Sequence, residues 1–135
     1  MPSNDSNKQV PERPTVVACA GGSQVAKVAN DIAVSLSENR LADMVAASSI
    51  GANILPIVQA CKTKQRVITI DGCGLHCAKR CLEMKGIQPH ESVTLTDLGI
   101  VSARDDHVSI MQSVQLVQRV YQALGFAVPA TSGDR

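Results

Sequence analysis

Aromatic side chains are almost missing from this chain, which has Tyr121, Phe126 and no tryptophan in 135 residues. That scarcity argues against a nucleic-acid platform, where rings stack on bases. It also argues against an interface anchored on large aromatics. An excess of one charge is missing too. The net charge is +1, so no global field draws in nucleic acid or an anionic membrane. No apolar run approaches the roughly 18 residues of a membrane span. The leading stretch MPSNDSNKQVPERP has no apolar segment of the kind a secretion signal needs. The expectation is a cytoplasmic protein with neither nucleic acid nor membrane as partner.

What the chain does have is enough apolar matter for one core. Hydrophobic residues make up 44% and charged residues only 19%, below the usual share of about 25%. It also has five cysteines. The count is odd, and a reducing cytosol keeps thiols free. Grouped cysteines there point to metal or redox chemistry rather than to a disulfide framework.

The polar residues 1–13 read as a disordered leader, 14–126 as a single α/β metal-binding domain and 127–135 as a flexible tail. Within the domain the pattern alternates. TVVACA (Thr15 to Ala20) is a β-branched run and reads as a strand. SQVAKVANDIAVSLSEN places Val25, Val28, Ala29, Ile32 and Leu36 on one helical face, with Ser23 as its cap. DMVAASSI (Asp43 to Ile50) reads as a second strand, and ANILPIVQACKTK as a helix disturbed by Pro56. RVITID is a buried strand. LHCAKRCLEMKG is a helix that Gly86 ends. SVTLTDLG contains a fourth strand. HVSIMQSVQLVQRVYQALG is a long helix, with Val108, Met111, Val114, Leu116, Val117, Val120 and Leu124 as its apolar side.

Strands alternating with helices imply a parallel sheet covered on both faces. Right-handed crossovers leave few topologies. The expected fold is an open doubly wound three-layer α/β fold with a four-stranded parallel sheet of order 2-1-3-4. In such sheets sites form beyond the carboxyl ends of the strands, at the switch point, here between strands one and three. Strand one runs into Cys19 and strand three into Cys73, so two distant thiols should meet. Both loops lead to helix starts, whose dipoles favour thiolates.

Cys73, Cys77 and Cys81 are spaced by four. If all were helical, Cys73 and Cys81 would stand roughly 12 Å apart, too far for one tetrahedral ion with metal–sulfur bonds of about 2.3 Å. Cys73 is therefore expected in the loop, Cys77 in the first helical turn and Cys81 a turn deeper. The ligand trio is Cys19, Cys73 and Cys77, and His76 and Cys81 compete for a fourth place.

CAGGSQVAKVAND, SSIGA, VITIDGCGLHCAKRCLE and LTDLGI resemble the DGC-domain family of zinc-binding proteins, named for the triplet seen here as Asp71-Gly72-Cys73. The resemblance covers nearly all of 14–126, and its most specific part is Asp-Gly-Cys-x-x-x-Cys-Ala-Lys. It implies a four-cysteine metal site, of which Cys19, Cys73 and Cys77 carry over. The fourth cysteine falls where this chain has Ala46, in AASSIG.

Plainer readings stand beside these. Cys61 suits a core, where free cysteine is common, and a core place also suits Cys81 better than ligation. Lys79 and Arg80 read as a solvated helix face that can still lower a neighbouring thiol's pKa. Asp71 suits a turn cap. Asp97, at the end of strand four, is open between a cap and a base. Asp105 and Asp106 suit a helix start better than a metal cluster with His107. CAGGS lacks the Lys-Ser/Thr of a phosphate loop. Thiolate-rich ligands select zinc, copper(I) or an iron–sulfur cluster, and Zn2+ is the cofactor expected. The alternative is a thiol-based redox or group-transfer enzyme with Cys19 as nucleophile and Cys73 or Cys77 as resolving thiol. In that reading CAGGSQ resembles the phosphocysteine loops of sugar-transport IIB proteins and thiol reductases. A scaffold with merely buried cysteines is the third possibility.

Overall fold

The computed structural model describes residues 12–104 and 107–128. Its centre is a parallel sheet of four strands: β1 (Thr15–Ala18), β2 (Asp43–Ala46), β3 (Val67–Asp71) and β4 (Glu91–Thr94). The strand order is β2-β1-β3-β4, as expected. The central strands β1 and β3 are buried along their whole length. That is why both read as continuous apolar runs rather than as alternating ones.

Alternate residues of the central strands feed two cores. Val16, Ala18, Ile68 and Ile70 face one side, where α1 (Gln24–Glu38) packs through Val25, Ile32 and Leu36. The last helix, α5 (Ile110–Leu124), joins that layer through Leu116, Val120 and Leu124. Val17 and Val67 face the other side. They meet α2 (Ala47–Gly51), α3 (Leu55–Thr63) and α4 (Cys77–Met84) through Ile50, Val58 and Leu82. Ser23 caps α1 as expected, accepting the Ala26 N–H. Gly86 follows α4 at a φ of +74°, a left-handed position suited to a helix end.

Four expectations fail. The second strand does not run to Ile50. It stops at Ala46, and Ala47–Gly51 is a helical turn in which the Ser49 hydroxyl donates to the Ala46 carbonyl. Small residues of low β-propensity give that segment little reason to extend the strand. Pro56 does not disturb a helix but opens one. It lies in the first turn of α3, where its missing N–H costs nothing. Met111 and Val114 are not on the apolar side of α5; they are 68% and 44% exposed. Val114 and Leu116 are two residues apart, about 200° around a helix, so they cannot share a face. The helix is also capped later than read, by Ser109 with Gln112 in a capping box. Asp105 and Asp106 lie outside the described residues, as do 1–11 and 129–135, where most of the expected leader and tail falls. Among the described residues no helix is long and apolar enough to cross a membrane.

Candidate functional site

β1 and β3 are hydrogen-bonded neighbours, so their carboxyl ends bring the Cys19 loop against the Asp71-Gly72-Cys73 turn. The Cys19 N–H continues the ladder to the Ile70 carbonyl at 3.1 Å. One step further the Gly72 N–H donates to the Cys19 sulfur, also at 3.1 Å. Position 72 tolerates no side chain. A Cβ there would stand 2.7–2.8 Å from the backbone of Val25 and Ala26. The glycine therefore lets the first turn of α1 close on the end of β3.

Cys73 lies in the loop, half-buried against the α1–α5 core. Cys77 is the first residue of α4 and is exposed. Cys81 is a turn deeper and half-buried against the other core. Its sulfur would lie 3.6 Å from a Cβ on Gly51, which sets it beside α2. This is the order the spacing predicts. Cys61 is 2% exposed in the α2–α4 core, as expected of a packing residue. None of the five cysteines is paired in a disulfide.

Asp71 is buried at the end of β3 and caps α4. Its carboxylate accepts the N–H groups of Ala78 at 2.8 Å and Lys79 at 3.2 Å. His76 stands just before α4 with φ 54° and ψ 47°. Its Nε2 lies 3.1 Å from the hydroxyl of Thr94, the last residue of β4. That anchor is invisible in local sequence, because only the strand order brings Thr94 beside the loop. Asp97 is exposed in the 3-10 turn Leu95–Leu98, and His107 is exposed.

The electrostatics tie the thiols together. Burial pushes the Cys19 thiol up from its ordinary value. The Gly72 hydrogen bond pulls it down, and the negative charges of Asp71, Cys77 and Cys73 push it further up. Cys81 is likewise pushed up by burial, then by Cys77 and Asp71, against a lowering by Lys85. The thiolate stabilisation expected for Cys19 from the following helix start does not prevail. Cys19 precedes α1 by several residues and is only 7% exposed, so desolvation of the charged form wins. Lys79 and Arg80 are not among the groups that act on Cys19 or Cys81. Among the described residues no three Cys, His, Asp or Glu side chains are gathered closely enough to hold a metal ion as they stand.

Fold and site together define a doubly wound α/β protein with cysteines grouped at the carboxyl edge of its sheet. The chain belongs to the DGC-domain family, whose model matches residues 15–120. Over 87 residues it is 37% identical to the anaerobic and virulence modulator AnvM of Pseudomonas aeruginosa. That match covers 64% of this chain and 66% of the relative, so the chain spans just under two thirds of the relative's length. No solved structure matches the chain.

Proposed function

We propose that this protein binds a thiophilic metal ion, zinc in the first instance, through Cys19, Cys73 and Cys77. The fourth ligand would come from Cys81, His76 or solvent. The observation that carries the reading is the Gly72 N–H bond to the Cys19 sulfur. It ties the thiol at the end of β1 to the turn that presents Cys73, and an N–H donated to sulfur is the kind of outer contact that orients a metal-binding thiolate.

The donor set suits the ion in kind: thiolates are the soft ligands that zinc accepts. A bound ion would draw Cys73 and Cys77 toward Cys19, and both stand on a loop or a first helical turn. Burial first, and then the charges of Asp71, Cys77 and Cys73, raise the Cys19 thiol. The cluster therefore gathers negative charge as it deprotonates, which a cation offsets. Zinc would supply a Lewis-acid centre with an exchangeable position if the chain contributes only three ligands. Cys19 is a poor free nucleophile, being buried with its thiol held protonated. A thiol-exchange chemistry would have to begin at exposed Cys77 instead. Five unpaired cysteines fit a reducing, cytoplasmic setting. The relative's name as a modulator supports a regulatory role for the chain.

Elemental analysis of protein purified reduced and without chelator tests this. The expected content is about one zinc per chain, lost in Cys73→Ser with the fold retained. Absence of any thiophilic metal, even after anaerobic loading with zinc, overturns the reading.

A further inference from the structure

We propose that His76 is a positioning residue, which fixes Cys73 and Cys77 relative to each other by anchoring their shared loop to Thr94. The consequence for metal rests on the reading above; the geometry does not.

His76 holds the loop at three points. Its N–H donates to the Cys73 carbonyl at 3.1 Å, closing the turn Cys73–His76. Its own carbonyl accepts the Arg80 N–H at 2.8 Å, the bond that starts α4 one residue before Cys77. Its ring reaches the Thr94 hydroxyl at 3.1 Å. Each neighbouring cysteine is thus one bond away from His76. Thr94 is a rigid anchor. It is 8% exposed and pairs in register with Asp71, which caps the same helix.

The backbone points the same way. At φ 54° a side chain is disfavoured and glycine is free of strain. A glycine would start α4 at less cost, yet the position carries an imidazole. The bond to Thr94 is what offsets the strained conformation, as happens where a structure over-determines a residue. The bond engages Nε2, which leaves Nδ1 as the nitrogen through which the ring would act as a ligand. In the positioning role the ring acts on the thiols through the backbone, and the two roles are separated by experiment.

Thr94→Val separates positioning from ligation, because it removes the anchor and leaves the imidazole in place. Zinc affinity is read by chelator competition, and amide exchange on protein stripped of metal. Thr94→Val should weaken zinc about 10–100-fold, the usual cost of losing an outer-shell partner. It should quicken exchange at the His76 and Arg80 amides while the Cys19 amide, bonded to Ile70, keeps its protection. His76→Gly relieves the strained backbone but loses the ring. It should match Thr94→Val in both readouts, and it serves as the test if Thr94→Val folds poorly. The double variant Thr94→Val/His76→Ala should be no weaker than His76→Ala alone. A loss in His76→Ala or His76→Gly well beyond that in Thr94→Val makes His76 a ligand, with Thr94 merely its outer partner, and overturns the proposal. Unchanged exchange in both Thr94→Val and His76→Gly overturns it as well. If the wild-type protein takes up no metal, the metal reading fails by itself and the exchange rates alone decide the positioning role.

Discussion

Gly72 and Cys19 are 53 residues apart in the chain, and the N–H of the first donates to the sulfur of the second at 3.1 Å. The contact exists because Gly72 has no side chain. The backbone of Val25 and Ala26 occupies the space a Cβ would need. Gly72→Ala should therefore push α1 away from β3 and lengthen the bond to Cys19. Overpacking of this kind costs about 1–3 kcal/mol, and zinc affinity should fall with it. Gly74→Ala is the control, since nothing stands within 4 Å of a Cβ there. Urea denaturation of the two variants decides the matter. Equal midpoints would mean that α1 shifts without cost.

Cys61 lies in the core with Val58, Val67 and Leu82 and is 2% exposed. Cys61→Ser puts a hydroxyl in that apolar surrounding, at a cost of about 1–3 kcal/mol. Its zinc content should stay at the wild-type level. Thermal denaturation and elemental analysis on one preparation check both halves. Loss of zinc in this variant would place the metal elsewhere.

Arg66 and Glu91 form a two-point ion pair between the starts of β3 and β4, and Arg66 also donates to the Leu124 carbonyl at 2.6 Å. The pair lowers the Glu91 carboxyl from its ordinary value of 4.5, chiefly through the hydrogen bond from Arg66. A lowered carboxyl contributes stability that is present above the unfolded value and is lost as pH falls through the folded one. Acid should therefore loosen the end of α5 from β3 and β4 below about pH 4.5, and Glu91→Gln should flatten that part of the stability curve. Both side chains are about one-third exposed, so the effect is modest and shrinks in high salt. Denaturant midpoints followed from about pH 7 down to about pH 2, across and below the ordinary glutamate value, measure it. Parallel curves for the two proteins would assign the acid transition to other carboxylates.

Sheet order and the meeting of the Cys19 and Cys73 loops were legible because both depend on long-period signals. Apolar runs separated by amphipathic helices leave few windings, and the strand ends follow from the winding. Ser49 was not legible in the same way. Its hydroxyl folds back onto the Ala46 carbonyl, a local competition that hydrophobic pattern does not register. Thr94 was hidden for the opposite reason. Its partner His76 is 18 residues away, and nothing in either local stretch marks the pairing. The thiols' neighbours were readable from topology, but the protonation balance at Cys19 depends on burial, which spacing does not reveal.

Ala46 stands where the resemblance to the DGC-domain family implies a fourth cysteine. It ends β2 and pairs in register with Ala18, the residue before Cys19. A cavity of about 140 Å³ opens beside it, lined in part by Ala20, Asn30 and Met44, so a thiol has room there. Ala46→Cys should convert a three-thiolate site into a four-thiolate one. The expected tightening of zinc binding is on the order of tenfold, about 1.4 kcal/mol. Ligand thiols must lose their protons to bind, so affinity in both proteins should fall as pH drops. The raised Cys19 thiol adds to that fall. Competition with a chromophoric chelator at two pH values measures both effects. An unchanged affinity would mean that a thiol at position 46 points into the cavity, away from Cys19, or that Cys81 already closes the site. Cys81→Ser in the Ala46→Cys background distinguishes these outcomes. Weakened binding identifies Cys81 as the closing ligand, and unchanged binding leaves the fourth place to His76 or solvent.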